Sequence, residues 1–381
     1  MRIEPACKHY EECGGCVAQH FSSDEYVSWK SSLVSSILKK NGIENYPLHE
    51  LEIGPERARR RARFAVGTAN SDGGPSKIIG FKRRSSSDLV DINCCPVLLP
   101  ELESFLPRLR HLLLSLSVNV SMVSISKAYK GIDIIIHGLE ASPPLDACER
   151  LAGFAEKYSV SRLSVEIESS GKRNRGKAQK HGIQKRRDRA FFQTIVEFDR
   201  ITANFSGIIV RLPCGAFLQP TSWGESSIVR SVCKGLDLID NDHKRIADLY
   251  SGVGSISFPI AKRGHFISMY EGVAEMCDAA SQCAEDYGLP VSISQRDLAR
   301  QPLGVSELNK YDAVIFDPPR AGAAYQARML SLSEVERVVA VSCNPLTFAR
   351  DTRTLLRGGY KLIKLNLIDQ FLWSNHVGLI G

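Results

Sequence analysis

Three short motifs carry the residues of this chain that could do chemistry. Cys343 lies in Val341-Ser-Cys-Asn-Pro345, 26 residues after Asp317 of Asp317-Pro-Pro-Arg320, and both follow a glycine loop, Asp248-Leu-Tyr-Ser-Gly-Val-Gly-Ser255. A thiolate is the strong soft nucleophile among side chains and suits conjugate addition at C6 of a pyrimidine. The two prolines behind Asp317 stiffen the turn and hold the carboxylate in a fixed direction. A related Asp/Asn-Pro-Pro motif that methylates exocyclic amines ends in an aromatic residue, whereas Arg320 follows here. The set therefore points to addition of a thiolate to an electrophilic ring while a cofactor donates a group.

The glycine loop identifies the kind of cofactor. Gly252 and Gly254 permit a tight turn and close backbone approach after a strand. Glu271 follows Gly254 by 17 residues, where a carboxylate can bind ribose hydroxyls. Ser257 stands where a dinucleotide fingerprint has its third glycine, which disfavours NAD. S-adenosyl-L-methionine has no pyrophosphate and tolerates that loss. Asp297 either meets the adenine or caps a helix.

These residues need strand ends to position them, and the pattern supplies them. After about residue 205, strands are expected at Arg245–Tyr250, Phe266–Tyr270, Val291–Ser294, Ala313–Phe316, Val338–Ser342 and Tyr360–Leu365, separated by helical spans. Such alternation implies a doubly wound parallel sheet, with ligands at the carboxyl ends of its strands. Residues 1–205 read as a smaller α+β region: a helix near 24–41, free to pack on the catalytic domain, then short strands and two more helices. The expected organisation is thus a smaller region over 1–205 and a catalytic, cofactor-binding domain over 206–381.

Composition narrows the partners. The chain has 381 residues, 43% hydrophobic and 24% charged, an ordinary globular balance with no apolar run long enough for a membrane span. The first residues, Met-Arg-Ile-Glu-Pro-Ala-Cys, lack the apolar stretch of a secretory signal, so a cytoplasmic, monomeric protein is expected. The net charge of +7 gathers in two clusters, Arg59, Arg60, Arg61 and Arg63, and then Lys172, Arg173, Arg175, Lys185, Arg186 and Arg187. Basic clusters suit phosphate contacts and hence RNA. Cys7, Cys13 and Cys16, with a distal cysteine at 94 or 95, suit either zinc or an iron–sulfur cluster.

Taken together, these motifs resemble the RNA 5-methyluridine methyltransferase family, in its short 23S rRNA type with an iron–sulfur cluster and no preceding RNA-binding barrel. The likeness runs through the cysteine pattern with Gln19-His20, Gly80-Phe-Lys-Arg, Cys95-Pro-Val-Leu, Phe217-Leu-Gln-Pro, the glycine loop, Asp317-Pro-Pro-Arg, Ser342-Cys-Asn-Pro and Ala349-Arg-Asp. It implies methylation of uracil C5 in RNA, 23S rRNA over tRNA, with Cys343 as nucleophile and Asp317 at the uracil edge. It further implies cofactor contacts at Gln219, Tyr250, Gly252, Gly254, Ser255, Glu271 and Asp317, with Asp297 a candidate from its position alone, and a 4Fe–4S cluster on Cys7, Cys13, Cys16 and Cys95. One departure matters. The family ends in His-Val-Glu, whose glutamate is the general base, and this chain reads His376-Val-Gly378. Asp369, His376 or water is then the substitute base, and the alternative is a turnover-impaired or non-catalytic iron–sulfur RNA-binding homologue.

Overall fold

The computed structural model describes residues 2–44, 46–71, 74–168, 191–238 and 243–381. The chain divides into two compact units, one of Met1–Tyr10, Gly15–Arg59 and Thr202–Gly381, the other of Glu11–Gly14 and Arg60–Ile201. The chain passes from one unit to the other between Ile201 and Thr202, and most of the first 59 residues group with the C-terminal half. Helix α1 (Ser23–Lys40) packs on a late helix and strand β1 (Leu48–Ile53) pairs with a late strand. Glu25 begins α1 by accepting the Ser22 backbone N–H at 3.2 Å. The helix buries Tyr26, Lys30, Val34 and Leu38, one residue per turn along one face.

The Arg60–Ile201 unit is built on strands β2 (Arg61–Ser71), β3 (Gly74–Lys82) and β4 (Leu89–Asp91), then helices α2 (Pro100–Glu103) and α3 (Phe105–Ser115). Strands β5 (Met122–Lys127) and β6 (Ile132–Leu139), helix α4 (Leu145–Lys157), and strands β7 (Arg162–Ile167) and β8 (Phe191–Glu197) complete it. Its sheet runs β4-β3-β2-β5-β6-β7-β8, and only β6 and β7, joined through α4, are parallel. One face supplies Phe64, Ile79, Val123, Ile125, Ile134, Ile136, Leu163 and Val165 to a core shared with Leu106 and Leu109 of α3 and Leu151 of α4. Side chains of this size contribute about 1.5–3 kcal/mol each when buried.

The other unit holds the doubly wound domain. A ribbon of β9 (Thr202–Phe205) and β10 (Ile208–Arg211) leads to α5 (Ser222–Gly235). Then follow β11 (Arg245–Leu249), α6 (Ser257–Ala261), β12 (Phe266–Glu271), α7 (Ala274–Asp286), β13 (Val291–Gln295) and α8 (Val305–Leu308). The second half contains β14 (Ala313–Phe316), α9 (Ala324–Ser331), β15 (Arg337–Ser342), α10 (Pro345–Arg357), β16 (Leu365–Asp369) and β17 (Gly378–Ile380). The sheet order is β1-β16-β17-β15-β14-β11-β12-β13. Strand order reverses between β11 and β14, which is where open α/β sheets place their ligand crevice.

Two features depart from the sequence expectation. Strand β16 begins at Leu365, where the expected strand ended, because Leu365, Leu367 and Ile368 are the apolar residues there with no solvent exposure. Strand β17 lies antiparallel between β15 and β16, so the sheet is not wholly parallel. Among the described residues no helix is long and apolar enough to cross a membrane.

Candidate active site

The glycine loop turns at the end of β11. Tyr250 adopts φ +65° while its N–H donates to the Tyr270 carbonyl at 2.9 Å. Gly252 has φ +57°, and a Cβ there would meet nothing within 4 Å, so its backbone faces open space. Its N–H donates to Glu271 Oε2 at 3.0 Å, and Glu271 Oε1 accepts from the N–H groups of Gly272 (2.7 Å) and Val273 (2.9 Å). Gly254, at φ +91°, allows close packing, since a Cβ would fall 2.5 Å from the Phe258 ring. Ser255 is half-buried at the loop's end.

Beneath the loop lies Asp248, 1% exposed, whose Oδ2 accepts the Ser257 hydroxyl at 2.5 Å. Ser257 therefore does work that a third glycine could not. Burial pushes the Asp248 carboxyl up to about 7; the nearby Asp317 and Glu271 carboxylates add to this, and the Ser257 hydrogen bond opposes it. Asp248 Oδ1 and the Ser251 hydroxyl are buried without a protein partner. Open backbone at Gly252, with orphaned polar atoms below it, leaves hydrogen-bonding capacity beside the loop that the protein itself does not use. The sequence had quoted Asp248 only as the start of the loop. Its position as the last polar residue of a buried strand, RIADL, was the available signal.

Asp317 and Cys343 follow β14 and β15, adjacent parallel strands in which Phe316 pairs with Ala340. Neighbouring strands lie about 4.8 Å apart, so the two loops open side by side. Burial pushes the Asp317 carboxyl up to about 7. The loops are tied together: the Asn344 amide donates to the Arg320 carbonyl at 3.0 Å, and the Thr347 hydroxyl reaches the same oxygen at 3.4 Å. Asn344 also caps α10, accepting from the Leu346 N–H at 3.1 Å, with Pro345 in the first turn. Capping holds Cys343, half-buried, at the junction of strand and helix.

The segment after β16 closes this edge. Gly378 opens β17 opposite Ile368, and a Cβ there would sit 3.1 Å from the Ile368 carbonyl. Asp369, considered as a substitute base, is unsuited to that role. It has no solvent exposure, its Oδ1 receives the Lys30 ammonium at 2.7 Å and the Phe371 N–H at 3.0 Å, and its Oδ2 receives the Tyr26 hydroxyl. His376 is exposed instead, with Nε2 2.8 Å from an Arg320 guanidinium nitrogen. Gln370 donates to Gln219 Oε1 at 2.9 Å.

The remaining expected residues divide. Asp297 accepts from the Ala299 N–H at 3.1 Å and faces Arg300 within a turn, and among the described residues no helix begins there for it to cap. Arg63 is exposed and donates to Ser124 at 3.0 Å, and Arg59 and Arg61 are half-buried. Arg60 is only 6% exposed and so is not a surface phosphate contact, contrary to expectation. The second basic cluster, 172–189, lies outside the described residues. Cys7, Cys13, Cys16 and Cys95 are all half-buried. Among the described residues no group of three or more His, Cys, Asp or Glu is arranged to hold a metal ion.

A doubly wound sheet with a glycine loop, two acids and a thiol at its strand ends defines the methyltransferase class of α/β proteins. The tRNA (uracil-5-)-methyltransferase family model matches residues 196–379. An uncharacterized RNA methyltransferase of Brucella suis is 36% identical over 100% of this chain and 84% of its own length. The 23S rRNA (uracil(1939)-C(5))-methyltransferase RlmD of Shewanella sediminis is 33% identical over 99% of this chain and 80% of its own. The tRNA (uracil-54, C5)-methyltransferase of Pyrococcus abyssi, solved with S-adenosyl-L-homocysteine, shares the fold at TM-score 0.69 and 22% identity, covering 96% of this chain and 84% of that one. The chain belongs to the RNA uracil-C5 methyltransferase family.

Proposed function

We propose that this protein transfers a methyl group from S-adenosyl-L-methionine to C5 of a uridine in 23S rRNA through a covalent bond between Cys343 and C6. The observation that carries this reading is the pair of tied loops that set Cys343 and Asp317 at neighbouring strand ends beside the glycine loop. When bound, S-adenosyl-L-methionine supplies an electrophilic methyl group. Its positive charge suits a cradle of three acids, Asp248, Glu271 and Asp317, two of them raised to about 7 by burial. The half-buried Tyr250, Ser255 and Gln219 are read as further contacts.

Cys343 Sγ bonds to C6 of a flipped-out uridine, and the displaced electron pair makes C5 the nucleophile that takes the methyl group. Asp317, at the neighbouring strand end, can hydrogen-bond the uracil edge and steady the enolate that forms. Cys343→Ala should abolish methyl transfer while leaving cofactor affinity unchanged, because the thiol acts on the base alone. Retained methylation in that variant refutes the assignment.

RNA phosphates are read as the partners of Arg59, Arg61 and Arg63. A 4Fe–4S cluster on Cys7, Cys13, Cys16 and Cys95 is supported by the donor chemistry, four soft sulfur ligands, and no step of the reaction runs through it. Iron and acid-labile sulfide in anaerobically purified protein, lost in Cys95→Ser and kept in Cys94→Ser, test it; zinc in place of iron refutes it. A second reading, a turnover-impaired homologue that binds RNA, is favoured by Gly378 alone.

A further inference from the structure

Once C5 carries the new methyl group it still holds its hydrogen, and C6 still holds sulfur. Release requires a base to take that proton, the C–H electron pair to form the C5–C6 double bond, and the C6–S bond to break with its pair returning to Cys343. A base must be at hand for this step, and position 378 has no side chain to supply it.

The acids near these strand ends are mostly committed. Asp369 is locked by Lys30 and Tyr26. Glu271 accepts three backbone N–H groups. Asp351 is 4% exposed and holds the Ala323 N–H and the Arg350 guanidinium. Asp297 holds its own turn. Along residues 370–381 the sole titratable side chain is His376. It is exposed, and it is bound to Arg320, whose carbonyl is tied by Asn344, the residue after Cys343.

We infer that His376 is the base that removes the C5 proton from the methylated adduct, standing in for the carboxylate that position 378 lacks. This rests on the methyl-transfer reading above. Arg320 can only donate, so Nε2 of His376 is the acceptor and carries a lone pair, with the ring proton on Nδ1. One edge of the ring is open to solvent, but the Phe371 ring packs edge-on at 5.8 Å; the partial desolvation lowers the histidine below its ordinary value, and the Arg320, Lys30 and Arg59 cations lower it further. The ring is therefore neutral at pH 7 and ready to accept a proton. An RNA phosphate that draws the Arg320 guanidinium away frees the lone pair.

The test uses the full chain with an unmodified 23S rRNA transcript and methyl-labelled S-adenosyl-L-methionine, comparing wild type with His376→Gln and His376→Ala. Both variants should complete a first methyl transfer. Multiple turnover should fall by about 10²–10⁴-fold, the usual contribution of general-base assistance. A protein–RNA adduct that resists denaturing gels and requires Cys343 should accumulate. Added imidazole should restore turnover to His376→Ala, which repair of a merely structural defect would not do. Wild-type turnover should also decline as pH falls through the histidine's lowered value, a limb absent in His376→Gln. Turnover by His376→Gln at the wild-type rate without adduct overturns the inference and leaves the methyl-transfer reading intact. A wild-type protein that traps as much adduct as the variant also overturns it, and one that transfers no methyl overturns both.

Discussion

Two sets of acids with little or partial access to solvent sit in the doubly wound unit, and they are treated oppositely. Asp369 meets an ammonium, a phenol and a backbone N–H, and both it and Lys30 have no solvent exposure. Asp248 has a single hydroxyl and an orphaned oxygen, and Asp317 has been raised to about 7 by burial. A buried charge with a full set of partners fixes structure. A buried carboxyl left short of partners is costly in the empty protein and becomes useful when a ligand provides the missing charge. The contrast separates the scaffold of this unit from its chemistry.

The contrast breaks most visibly at Lys30. Lys30→Met should leave Asp369 buried and unpaired, at a cost of about 3–5 kcal/mol, measured by urea denaturation. A loss below about 1 kcal/mol would mean that the ion pair does not hold the segment after β16.

A smaller effect should appear in the pH dependence of stability. Asp248 and Asp317 have folded values near 7 against an ordinary 3.8, so the folded state binds their protons more tightly than the unfolded state. Their stabilising contribution is complete below about pH 4 and is lost as pH rises towards 7. Thermal melts of Asp248→Asn and Asp317→Asn should lose less stability over that interval than wild type. Bound S-adenosyl-L-methionine should flatten the wild-type slope in the same sense.

The smallest effect on stability belongs to the exposed cations. Arg63→Ala should leave stability within about 0.5 kcal/mol while lowering the slope of log affinity for RNA against log salt by roughly one. An unchanged slope would remove Arg63 from the phosphate contacts.

The strand-end motifs were legible because each follows a short apolar run and a turn, a local pattern that a linear reading detects. The site's wiring was not, because it links distant positions: Lys30 to Asp369, Arg320 to His376, Gln370 to Gln219. One clue was on the surface of the text. Lys30 stands in line with Tyr26, Val34 and Leu38, and a cation on an apolar stripe calls for a buried counter-charge. The three residues of β17 are too few to show a period, and the run before Leu365 resembled the strand it precedes. Arg60 looked like its neighbours because charge composition carries no information about which way a side chain turns at the head of a strand.

The pairing of β1 with β16 has a consequence for biosynthesis. Leu48 lies beside Leu365, with most of the Arg60–Ile201 unit inserted in the chain between them. During translation the inserted unit has nearly all its sequence in hand long before the surrounding sheet can acquire its edge. The host unit must keep α1 and β1 waiting, with apolar faces uncovered, until residue 369 has left the ribosome. Closing so long a loop is slow, and that interval is when this protein most needs a chaperone's shelter.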